Sequence, residues 1–110
     1  MKTKKIKTED FFEAFADQIK SNPKKLKAFE KEVNKIYAET GDADIIFGAL
    51  KVLARLKGNV RRLARDCGIQ RQSIYNLFKR RSNPTFNNVA AVSRNLGAHI
   101  YFSFSTPPRG

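Results

Sequence analysis

The sequence is poor in groups that carry chemistry. It has one cysteine and one histidine. Cys67 alone cannot close an intramolecular disulfide, and His99 has no second Cys or His nearby with which to hold a metal ion, so a zinc module is excluded. Residues 45–110 contain a single acid, Asp66. No acid–base pair, nucleophile–base pair or ligand set can be composed there, which argues against an enzyme and against any cofactor. No apolar run approaches the roughly 18 residues of a spanning helix, and the opening MKTKKIKTEDFF carries charges with no apolar stretch behind them. A soluble protein of a reducing cytoplasm is the expectation.

What is abundant is positive charge, unevenly placed. Residues 1–44 hold ten basic and nine acidic side chains, whereas residues 45–110 hold twelve basic and one acidic. So concentrated a cationic field repels itself in a compact domain and points to a polyanionic partner. At 110 residues and 41% hydrophobic content the chain supports one compact domain rather than two full cores.

After a Lys-rich arm over the first eight residues, Phe11, Phe12, Phe15, Ala16 and Ile19 recur at helical spacing. Ser21-Asn22-Pro23 stops that helix and restarts another, with Asn22 as cap and Pro23 at the first helical position. Leu26, Phe29, Val33, Ile36 and Tyr37 form its stripe, which ends at Gly41. Asp42 or Asp44 caps a third helix, apolar around most of its circumference except a polar strip at Gly48, Lys51 and Arg55; such a helix is central. Two short helices follow, then the basic loop KRRSNP, then a helix capped by Thr85 and terminated by Gly97. The tail HIYFSFS switches to period two, with Ile100, Phe102 and Phe104 on one face. A lone strand has no ladder partner of its own. It pairs with a second copy or a partner's sheet, or else is a flexible tail or a lid over the core. The expected division is residues 1–41, an arm and two amphipathic helices forming a possible partner-binding region, and residues 42–110, a DNA-binding domain with the strand.

The chemistry-bearing stretch is LARDCGIQRQSIYNLF. Leu63 and Ala64 precede a turn at Gly68-Ile69, and Ile74, Leu77 and Phe78 follow at helical spacing. A small Ala64 lets two helices cross closely, Gly68 supplies a positive φ, and Ile74 and Leu77 dock the second helix: this is the helix-turn-helix pattern. On a helix from Arg71 to Lys79 the opposite face centres on Gln72, Asn76 and Lys79, bordered by Arg71 and Tyr75. Gln and Asn pair bidentately with adenine and Arg with guanine, so Arg71, Gln72, Tyr75 and Asn76 are the base-reading candidates. Tyr75 meets a base or a thymine methyl, or else packs on the next loop. Asn59, Arg61, Arg62, Lys79, Arg80, Arg81, Asn83 and Arg94 are phosphate candidates, with Lys79-Arg80-Arg81 foremost because the backbone passes where the second helix ends. Arg62, Arg65 and Asp66 can equally be a solvated helix surface.

Over about residues 43–104 the chain resembles the lambda-repressor-like, Xre-type helix-turn-helix proteins, and more narrowly the HigA-like addiction module antidote antitoxins. The resemblance rests on ALKVLAR before Gly58, on GIQRQSIY, on the NPTF loop-to-helix signal, and on Leu96-Gly97 before the tail. It implies an all-α helix-turn-helix fold with N-terminal helices and one C-terminal strand, acting as a homodimeric, sequence-specific repressor of its own operon. It further implies neutralisation of a toxin of the RelE/ParE superfamily; the alternative is an orphan or phage-type regulator without a toxin. Two positions depart from the family pattern: Gln70 replaces a capping Ser, and Ser82 replaces a Gly before Asn83-Pro84. The basic balance is also unexpected for a chain that covers a basic toxin, and the acids Glu9, Asp10, Glu13, Asp17, Glu30, Glu32 and Glu39 make the N-terminal helices the first place to seek one.

Overall fold

The computed structural model describes residues 8–79 and 81–100, with side chains from Phe12 onward. Six helices follow one another: α1 (Thr8–Ser21), α2 (Lys25–Thr40), α3 (Ala43–Lys57), α4 (Val60–Cys67), α5 (Arg71–Phe78) and α6 (Phe86–Asn95). Among the described residues there is no strand, so the all-α expectation holds at that level. Seven of the eight arm residues lie outside the described residues, as does the expected strand beyond Ile100. His99 and Ile100 themselves are in neither helix nor strand.

The apolar stripes gather into two clusters. Phe12, Ile19, Phe29 and Val33 from α1 and α2 pack on Ile45, Ala49 and Val52 of α3. Leu50 and Ala54, on another side of α3, join Leu63, Ala64, Ile74, Leu77, Val89, Val92 and Leu96. The central role expected of α3 follows: it is apolar nearly all round because two layers use it. The first cluster spans the division expected at residues 41 and 42.

Gly48 corrects the reading of α3. It is no part of a solvated strip: a Cβ there would bring Cε2, Cζ and Cδ2 of Phe12 all within 2.8 Å. A glycine inside a helix costs about 1 kcal/mol relative to alanine, and here the missing side chain is the seat of an aromatic ring. Phe12 in turn meets Phe29 edge-on, with ring centroids 6.2 Å apart.

Cap chemistry agrees with expectation in places and departs from it in others. Asp42 caps α3, its side chain accepting from the Asp44 N–H, so of the two acids it is the first that caps. Thr85 caps α6 as expected, accepting from the Asn88 N–H at 3.2 Å. Asn22 does not cap α2. Its Oδ1 accepts from the Lys24 N–H at 3.2 Å within a turn, and the helix starts only at Lys25. Pro23 has no backbone N–H to offer, which leaves the donor role to Lys24.

Candidate nucleic-acid interface

α4 and α5 are eight residues each, joined by Gly68, Ile69 and Gln70. Gly68 sits at φ +69° with open space where a Cβ would be, so conformation rather than crowding demands glycine. Its N–H and that of Ile69 return to Arg65 O and Ala64 O at 3.2 and 3.1 Å. That pair of bonds is the Schellman closure, which satisfies the last carbonyls of α4 and turns the chain sharply. Ile74 and Leu77 have no solvent exposure and anchor α5 against α3 and α4.

With those two residues facing inward, α5 presents Arg71, Gln72, Tyr75 and Asn76 outward, all exposed. Gln72 Nε2 donates to Asn76 Oδ1 at 3.1 Å, one turn apart. The bond orders both amides along the helix axis while leaving each with further donors and acceptors. Tyr75 is one of the exposed large hydrophobic side chains. It lines an open cleft of about 420 Å³ with Gly58, Asn59, Val60, Arg61 and Arg71. The cleft thus brings two base-reading candidates, Arg71 and Tyr75, together with two phosphate candidates, Asn59 and Arg61.

The helix α5 itself, RQSIYNLF, contains no acid. None of α4, α5 and α6 has an acid in its first turn, although carboxylates are stabilising there. Gln70 makes no side-chain cap to α5, consistent with the missing Ser. Asn59, a phosphate candidate, has a duty that its candidacy did not anticipate: its Oδ1 accepts from the Arg62 N–H at 3.0 Å and caps α4. Arg62 lies 3.9 Å from Asp66 in an exposed i,i+4 pair, so the one acid of the second half faces a candidate of lesser standing. Arg94 lines a different groove, with Ala90, Ser93, Ala98, His99 and Ile100.

Past Phe78 the chain leaves the helix. Lys79 is extended at φ −73°, ψ 145°, one residue earlier than the expected helix end. Lys79, Arg81 and Asn83 are all exposed, and Arg80 lies outside the described residues. Arg81 takes φ +58°, which costs a residue with a Cβ roughly 1–2 kcal/mol. The left-handed position therefore falls one residue before Ser82, where the family's glycine was expected. Ser82 serves instead through its hydroxyl, which donates to Leu77 O at 3.0 Å. The Arg81 N–H donates to both carboxylate oxygens of Asp44, at 3.1 and 3.3 Å. Nothing in the local pattern could have found that bond, because its partners are 37 residues apart.

Cys67 is half-buried at the end of α4, its thiol donating to Ala91 O at 3.6 Å. Burial pushes its pKa up, against the Asn95 hydrogen bond that lowers it and with the nearby Asp66 charge that raises it further. The thiol form is favoured, as suits a packing residue rather than a nucleophile. Among the described residues no group of His, Cys, Asp and Glu could hold a metal ion, and no helix is long and apolar enough to cross a membrane.

A family described as "Probable addiction module antidote protein" matches residues 12–104. No curated protein matches the chain. No solved structure matches it either.

Proposed function

The chain belongs to the probable addiction module antidote family, whose members are antitoxins with a toxin for partner, and from that premise we propose that it also binds DNA as a repressor of its own operon. The observation that carries the reading is the outward face of α5, which is free of acids and borders a cleft flanked by Arg61 and Arg71. In this reading α4 and α5 form a helix-turn-helix of the lambda-repressor-like, Xre type, with α5 in the major groove. Affinity comes from counterion release by the cations around α5, and specificity from Arg71, Gln72, Tyr75 and Asn76. Asn59, Arg61, Lys79, Arg80, Arg81 and Asn83 grip phosphates and set the register. A homodimer places two α5 helices about one DNA turn apart on a palindromic site. The toxin is of the RelE/ParE superfamily and docks on α1 and α2, where most of the acids lie.

Arg71→Ala and Gln72→Ala should each cost about 1–3 kcal/mol on the cognate site and much less on scrambled DNA, relaxing sequence preference. Arg81→Ala should weaken both duplexes alike. Binding titrations on the two duplexes check this, and equal losses on both for all three variants would sink the assignment. Co-purification with the product of the neighbouring gene, followed by footprinting upstream, identifies the toxin and the operator. A protein that keeps its partners after nuclease treatment and protects no DNA would instead be a pure interaction module.

A further inference from the structure

The residue that holds the basic loop behind α5 is an acid. Asp44 stands in the first turn of α3, half-buried, and its carboxylate accepts the Arg81 N–H through both oxygens. Its own N–H is fixed to the Asp42 side chain at 3.0 Å, and the next residue, Ile45, is buried in the α1–α2–α3 cluster. The anchor is therefore rigid. On the other side of the loop Ser82 closes on Leu77 O through its hydroxyl and on Lys79 O through its N–H. Arg81, held between these two ties, keeps a left-handed backbone that a side-chain-bearing residue disfavours. Backbone held in a disfavoured conformation by its surroundings is concentrated at functional sites.

We propose that Asp44 is a positioning residue for DNA binding: its carboxylate fixes the Arg81 amide so that the Arg81 and Lys79 side chains are carried to the phosphates. The proposal rests on the DNA-binding reading above, and the sign of one substitution separates it from simple electrostatics. Near a polyanion, any acid repels, so removing the Asp44 charge should by charge alone tighten binding. If the acid positions the loop, removing its oxygens should weaken binding although the protein becomes more basic.

The test compares Asp44→Ala with Asp44→Asn on a random-sequence DNA duplex over a salt series. Asp44→Ala should bind roughly tenfold more weakly at about 0.1 M salt, with a salt slope smaller by about one, the signature of one lost phosphate contact. Asp44→Asn keeps an oxygen to accept the Arg81 N–H and loses the charge, so it should bind as tightly as the parent or more so. A change in slope is not produced by a smaller folded fraction, which scales all affinities alike. Tighter or unchanged binding by Asp44→Ala, or the two variants moving together in either direction, overturns the proposal. Absence of binding by the unsubstituted protein overturns the DNA reading instead, and the proposal with it.

Discussion

DNA affinity should collapse between 50 and 200 mM salt, and the size of the collapse reports how many copies bind. Each phosphate neutralised contributes about 0.9 to the slope of log affinity against log salt. Arg61, Lys79, Arg80 and Arg81 supply four cations per chain. One chain therefore gives a slope near −3.6, or roughly a 150-fold loss across that fourfold range; a two-fold dimer gives about −7, or roughly 10⁴-fold. Asp66 does not blunt this, since its charge stands beside Arg62, outside the set. Fluorescence anisotropy with a labelled duplex at four or five salt concentrations is sufficient. A slope shallower than about −2 would leave too few phosphate contacts for either assembly and would sink the reading of the cation cluster.

How much of this was legible beforehand depends on how local each signal is. The turn between α4 and α5 could be found because its cause lies within a few residues: a left-handed glycine, two closing bonds to the preceding turn, and apolar residues spaced to dock the second helix. The exposed face of α5 follows from the burial of Ile74 and Leu77 by helical periodicity alone. The cleft joining Asn59, Arg61, Arg71 and Tyr75 did not follow, because it depends on how closely the α3–α4 turn approaches α5. The Asp44–Arg81 bond was invisible for the same reason. In a window of sequence Asp44 reads as a cap, and only the fold shows Asp42 taking that place and freeing Asp44 for the loop. Asn22-Pro23 misled in another way. The residue types suit a cap and a first helical turn, but the backbone spends them on a turn two residues upstream.

Gly48 was misread because absence of a side chain looks like polarity in a list of residues, and it yields the second large effect. Gly48→Ala should destabilise the protein although alanine is the better helix former by about 1 kcal/mol. The new methyl would occupy the space of the Phe12 ring, and displacing that ring disturbs its packing with Phe29. Overpacking of this kind costs about 1–3 kcal/mol, occasionally more. Phe12→Ala alone should cost roughly 3–5 kcal/mol, the range for a buried aromatic. The decisive measurement is the double substitution. With Phe12 already truncated the three atoms nearest the methyl are gone, so Gly48→Ala should reverse sign and stabilise the Phe12→Ala protein by about 0.5–1 kcal/mol. Denaturant midpoints of the four proteins give the cycle, and additive effects without a change of sign would show that the ring does not sit in that notch. Because Phe12 and Ala49 belong to one cluster while Leu50 and Ala54 serve the other, the loss should fall on the α1–α2 side of α3. DNA affinity of the Gly48→Ala protein, measured where it is still folded, should then match the parent. Toxin binding should weaken if α1 and α2 are its docking surface, which separates the two proposed activities of the chain along the two sides of a single helix.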